Sequence, residues 1–204
     1  MGKVVFIKKS RKEYKCGKCG SVIPAGSPYY KGELFRMRPM VRCTSCKLKH
    51  YEVTTSDYIT AVGKIVEEWQ EYYGIGEDTI GEIVDALYEI HNTCEENYDN
   101  IPDQLQEGAA AMLLQERMEE LDGAISDLES IDDWDDFLLK GRDALDEDVQ
   151  GIIDKEQEKR NGEDYNIWFD EFVGLGSDAA SHWKEAVYEE FVFAVDEILG
   201  QLTY

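Results

Sequence analysis

The chain has 204 residues, 43% of them hydrophobic, which is enough for a packed core and too many for a wholly disordered chain. No apolar run approaches the roughly 18 residues of a membrane span, and Val4-Val5-Phe6-Ile7 is too brief for a secretory leader, so a soluble, cytoplasmic protein is expected. The 44 acidic and 21 basic residues leave a net charge of −23. That average conceals a partition. Residues 1–50 carry 13 Lys and Arg against Glu13 and Glu33, a net of +11, and residues 51–204 carry 8 against 42, a net of −34. Two parts that face different partners are expected, a basic module over 1–53 and an acidic domain over 54–204.

The basic head contains Cys16-Gly17-Lys18-Cys19 and Cys43-Thr44-Ser45-Cys46. Each C-x-x-C turn can aim two thiolates at one cation, and the connecting segment can bring the second turn to the same tetrahedron. Gly17 and Gly20 suit a knuckle whose backbone must turn tightly around the sulfurs. Val22-Ile23, Pro24-Ala25-Gly26 and Tyr29-Tyr30 read as strand, turn and strand, and Leu34 to Val41 as the strand returning to the second knuckle. Two disulfides or redox pairs are the competing reading, but a redox C-x-x-C needs a βαβ setting that is lacking here. The expected site is therefore one structural Zn²⁺ on Cys16, Cys19, Cys43 and Cys46, with no ligand position left open for catalysis. His50 is expected at the surface or the junction. The cations between Lys8 and Lys49, with Tyr29, Tyr30 and Phe35 as stacking surfaces, could meet phosphates and bases, although the acidic body would repel the same phosphates.

Helical periodicity dominates from Ser56 onward. Ile59, Val62, Val66, Trp69 and Tyr73 recur at 3,4 spacing after a Thr55 or Ser56 cap, with Gly74 and Gly76 as stops. A second helix carries Ile80, Ile83, Leu87, Ile90 and Cys94, which makes the fifth cysteine a small buried hydrophobe. Asn100-Ile101-Pro102 ends it. Leu114, Met118, Leu121, Ile125 and Leu128 then form the seam of an antiparallel, coiled-coil-like hairpin or a self-association surface. Asp132-Asp133-Trp134-Asp135-Asp136 lacks the central glycine of a calcium loop and reads as the start of a fourth helix running from Trp134 to Lys159. An aromatic segment around Trp168, Phe169, Phe172 and Val173 follows. Ser177 caps a last helix bearing Trp183, Val187, Phe191, Val195, Ile198 and Leu202. The expected fold is mainly α, a small β-rich zinc ribbon followed by an all-α acidic bundle of about five helices with no strand after residue 53.

The paired cysteines, with Ile23, Gly26, Tyr29 and Tyr30 between them, resemble the zinc-ribbon and zinc-knuckle modules of phage and bacterial proteins. Asn100-Ile101-Pro102-Asp103-Gln104-Leu105-Gln106, leading into an acidic helix, resembles a segment recurring in phage and prophage proteins. These resemblances imply metal binding and a mobile-element accessory protein.

Gly74-Ile75-Gly76-Glu77-Asp78-Thr79-Ile80-Gly81 follows no strand and leads into no Gly-Lys-Ser/Thr, so it is not a nucleotide loop. There is no G-x-S-x-G or H-E-x-x-H, and His50, His91 and His182 are far apart. A non-enzymatic protein is expected. In the leading reading, its acidic body docks as a nucleic-acid mimic on a basic host protein such as a nuclease, a CRISPR effector or another nucleic-acid-binding protein. The alternatives are a zinc-ribbon transcription regulator that binds nucleic acid through the head, and a phage structural or assembly protein.

Overall fold

The computed structural model describes residues 2–33, 39–74, 76, 78–131 and 134–202. It is mainly helical with a small antiparallel β region at the N-terminus. The chain separates into two compact units, one up to Glu67 and one from Glu68.

In the first unit, β1 (Lys3–Ile7), β4 (Tyr29–Glu33) and β5 (Met40–Arg42) form one sheet in the order β1-β4-β5, and β2 (Tyr14–Lys15) pairs with β3 (Val22–Ile23). All pairings are antiparallel. In the sequence β1 shows only as an apolar patch. Its β-branched run pairs from Lys3 opposite Glu33 to Ile7 opposite Tyr29. The described part of the return strand runs from Met40 to Arg42, and the Leu34–Arg38 part of that expectation lies outside the described residues. Gly32 is there for space: a Cβ would stand 2.6 Å from Leu48 Cδ2 and 2.9 Å from Val53 Cγ2. Among the described residues no strand follows Arg42, as expected.

Helix α1 (Asp57–Tyr72) starts where predicted, with Ser56 Oγ accepting from the Ile59 N–H at 3.4 Å. Its buried stripe is Tyr58, Val62, Ile65 and Trp69, rotated slightly from the predicted one, with Ile59 and Val66 half-buried. Helices α2 (Thr79–Asp99) and α3 (Ala109–Glu129) form the predicted hairpin, the most extensive helix pairing among the described residues. Ile83, Leu87 and Cys94 are buried on α2, and Leu121, Ile125 and Leu128 on α3. Burial pushes the Cys94 thiol up, consistent with a packed rather than reactive cysteine.

The predicted helix from Trp134 to Lys159 is two helices, α4 (Trp134–Asp143) and α5 (Glu147–Lys159). Asp146 is extended at ψ 149° and starts α5, whose first turn holds Glu147 and Asp148. No glycine or proline marks this break. It is fixed by packing and by Arg142, whose guanidinium reaches both Asp154 oxygens, at 2.8 and 2.7 Å, across the turn. Asp132 and Asp133 lie outside the described residues, and Asp135 and Asp136 occupy the first turn of α4. The aromatic segment is a full helix, α6 (Tyr165–Gly174), and α7 (Asp178–Leu199) is capped by Ser177 Oγ, which accepts from the Ala180 N–H at 3.2 Å. Seven α-helices are thus described, against about five expected.

The core of the second unit gathers on α7. Trp183 is fully buried and donates through Nε1 to the Leu138 carbonyl at 2.9 Å. The rings of Tyr165, Trp168, Phe169 and Phe172 surround it, the closest centroid at 4.8 Å. Trp69, Trp134 and Phe137 pack around Phe191. Gly141 lets α4 and α7 touch at the backbone, because a Cβ there would stand 2.6 Å from Val187 N and 2.8 Å from Val187 Cα. Alanine normally stabilises a helix interior relative to glycine by about 1 kcal/mol. Gly141→Ala is nevertheless expected to destabilise the protein by about 1–3 kcal/mol, because backbone cannot swing aside as a flexible side chain can. Urea unfolding measures the sign directly, and a stabilised variant would contradict the crossing.

Candidate metal centre

Both knuckles lie at strand ends, Cys16 directly after β2 and Cys43 directly after β5. Gly20 follows the first pair at φ +74°, and Lys47 follows the second at φ 29°. Each knuckle is closed by its own backbone bond, Gly20 N to Cys16 O at 3.0 Å and Cys46 N to Cys43 O at 3.2 Å. Glycine at position 20 therefore serves the predicted purpose. Gly17 serves a different one: its N–H donates to Val41 O at 2.8 Å, and a Cβ would meet the Arg42 guanidinium. That backbone bond joins the first knuckle to the strand leading into the second.

The four sulfurs of Cys16, Cys19, Cys43 and Cys46 all lie within 4.8 Å of one another. Cys19 and Cys43 are 3.8 Å apart at sulfur, and none of the cysteines is in a disulfide. A thiolate tetrahedron with metal–sulfur bonds of about 2.3 Å has edges of about 3.8 Å, so the cluster is compatible with a metal site. Cys16 is buried, and its sulfur accepts from the Cys43 N–H at 3.4 Å. Burial pushes this thiol up, but the backbone N–H groups of Cys19, Cys43 and Lys18 outweigh it and bring it to about 6. Cys46 moves the other way, pushed up to about 12 by the neighbouring sulfurs of Cys19 and Cys43. Four thiolates this close repel one another, and a bound cation is what allows all four to lose their protons together.

Three residues that support the site carry no sequence signal. Arg42 donates to Glu52 Oε1 at 3.1 Å, and Glu52 Oε2 accepts from the Lys49 N–H at 2.9 Å, which ties both ends of the second knuckle to the 3₁₀ turn at His50–Glu52. His50 is exposed on that turn and is not among the clustered residues, as predicted. Of the other histidines, His91 stands 3.3 Å from Asp122 across the α2–α3 hairpin, and His182 is exposed on α7.

The head's described cations include two contrasting groups. Lys31, Arg42 and Lys49 are paired with Glu33, Glu52 and Glu67. Lys8, Lys9, Arg11, Lys12, Lys15 and Lys18 are exposed, and no carboxylate among the described residues pairs with them. The loop carrying the first four is held by Ser10, which is buried and bonds to Ser27 O, Pro24 O and the Gly26 N–H. Phe35, Arg36 and Arg38, part of the predicted basic surface, lie outside the described residues.

On the acidic side, α2 contains no Lys or Arg, and its Glu82, Asp85, Glu89, Glu95, Glu96 and Asp99 are all exposed. Among the described residues no helix is long and apolar enough to cross a membrane. No family model, curated protein or solved structure matches the chain. The class is therefore the one its own fold and site define: a mainly α protein with a small β-rich N-terminus built around a four-cysteine cluster fit for a metal.

Proposed function

We propose that this is a non-enzymatic interaction protein in which one Zn²⁺, held by Cys16, Cys19, Cys43 and Cys46, staples the basic head, and the acidic helical body binds a basic, nucleic-acid-binding surface of another protein. The observation that carries this reading is the charge partition, with 42 acids against 8 cations after residue 50. The few cations of the body that clamp helices are consumed inside it, Arg142 on Asp154 and Arg160 on Glu156 and Glu171. The exposed carboxylates of α2 are carried on one 21-residue helix, a phosphate-like array that would compete for Lys- and Arg-lined channels and speed encounter through its long-range field. The resemblance of the Asn100–Gln106 segment to phage and prophage sequences makes a host nuclease or defence protein the expected partner.

A second reading is favoured by the exposed cations between Lys8 and Lys18, which no carboxylate among the described residues engages, and by the Ser10 clip on the loop carrying the first four: the head would contact nucleic acid, and the body would recruit a protein. One experiment separates the two. Tagged full-length protein is used to capture partners from a bacterial lysate, with and without nuclease, and is then washed at rising salt. Retention of nucleic-acid-binding proteins after nuclease treatment, with release by added duplex DNA, is expected for the acidic mimic. Recovery of nucleic acid itself, with all protein partners lost after nuclease, would overturn it in favour of the second reading.

A further inference from the structure

Helix α7 is apolar on two faces. The stripe from Ala180 through Trp183, Val187, Phe191 and Val195 to Leu199 makes the core. A second stripe, Tyr188, Val192 and Phe193, joins Val173 of α6 as the floor of an open groove of about 820 Å³. Phe193 is 67% exposed there, a large hydrophobic side chain left in water on a helix that is otherwise well packed. The groove extends from Ser181 to Asp196, about 22 Å at the α-helical rise, or some four turns.

The rim indicates the occupant. Glu185 and Glu189 line the groove and are exposed. Among the described residues neither has a hydrogen-bond or ion-pair partner, whereas Glu156 of α5 and Glu171 of α6 are engaged by Arg160. Asp196 accepts from Trp69 Nε1 at 2.7 Å and closes one end, and Lys184, also in the lining, is drawn over the Tyr188 ring at 5.3 Å, which leaves Glu185 and Glu189 as the unengaged charges of the rim. A second copy of this face would add a second pair of unengaged glutamates to the rim, and an anionic lipid surface would likewise add negative charge to it. An apolar face flanked by Lys or Arg meets neither objection.

We propose that the α6–α7 groove binds a basic amphipathic helix of a partner protein, its apolar residues seated on Val173, Val192 and Phe193 and its cations on Glu185 and Glu189. This rests on the reading that the acidic body binds basic partners, and it assigns that binding to one face. The test uses the full-length protein and two fluorescent 18-residue Leu/Lys peptides of identical composition, one amphipathic as a helix and one scrambled, followed by anisotropy at 50 mM and 200 mM salt. The amphipathic peptide is expected to bind at least tenfold more tightly than the scrambled one. Phe193→Asp is expected to erase that preference, and Glu185→Gln with Glu189→Gln to weaken binding several-fold and flatten its salt dependence. Leu105→Asp, at an exposed apolar residue outside the groove, should change nothing. Equal binding of both peptides, untouched by Phe193→Asp, would overturn the groove and leave a diffuse acidic surface standing. No binding of either peptide at 50 mM salt would overturn both. Thermal melts of each variant, expected to match the parent because Phe193 is exposed, separate lost binding from lost folding.

Discussion

Cys16→Ser is expected to release the metal and unfold the β-rich head, while the far-UV signal of the helices from α2 to α7 persists. Serine nearly matches cysteine in volume, so the loss would not be one of packing. The reason is the size of the core around the cysteines: Cys16, Ile23 and Tyr29 are buried there, with Ile7, Tyr14, Val41, Cys43 and Cys46 packed partly against them, and two of these residues are themselves the metal's ligands in addition to Cys16. With Leu48, Tyr51 and Val53 as the other buried apolar side chains of the first 53 residues, so small an apolar core offsets little of the chain entropy of some fifty residues. In zinc-stapled modules the metal supplies binding free energy on the order of 10 kcal/mol, and that energy is folding energy. Elemental analysis should find one zinc per chain in the parent and in Cys94→Ser, whose sulfur is buried between α2 and α3, and none in Cys16→Ser. Near-UV dichroism from Tyr14, Tyr29 and Tyr30 should collapse on chelation and return on adding Zn²⁺. A Cys16→Ser protein that kept its zinc and its tyrosine signal would remove the metal from the account of this fold.

Trp183→Ala is expected to cost the helical unit about 3–5 kcal/mol, the range for a fully buried aromatic whose cavity cannot collapse. The site is walled by four rings from α6 and by the Leu138 backbone of α4, so no single neighbour can move in to fill the void. The substitution also removes the N–H that joins α7 to α4. For a unit of this size the loss corresponds to a fall of roughly 10–18 °C in melting temperature. Trp183→Phe separates the contributions: it keeps a ring among the aromatics and loses the hydrogen bond, at about 1–2 kcal/mol. Urea unfolding followed by far-UV dichroism measures both. A cost below 1 kcal/mol for the alanine variant would mean that α6 does not pack on α7 as described.

The features read correctly from the chain are those written in local chemistry. Paired C-x-x-C spacing foretold the cysteine cluster because each knuckle is a four-residue problem. Ser56 and Ser177 marked helix starts because a cap is decided within three residues of itself. The 3,4 rhythm located α2 and α3 because burial on one face of a helix leaves a period in the sequence. The misreadings have physical causes as well. The break between Asp143 and Glu147 contains no glycine or proline, and Asp146 becomes a helix start only because α4 is held against α7 and α5 is clamped back through Arg142. Strand β1 looked like a stray apolar patch because its partner, β4, lies more than twenty residues away.

By itself, then, the sequence determined the charge partition, the cysteine pairs, the mainly helical character and the caps, all of which are sums or short-range patterns. Only the tertiary structure decided the rest. It set the sulfurs of Cys19 and Cys43 3.8 Å apart, placed Gly141 where α4 meets the Val187 backbone, separated the cations paired with Glu33, Glu52 and Glu67 from those left exposed, and turned the second apolar stripe of α7 outward. These depend on contacts between residues distant in the chain, and no local preference encodes a distance between two elements until the rest of the core has brought them together.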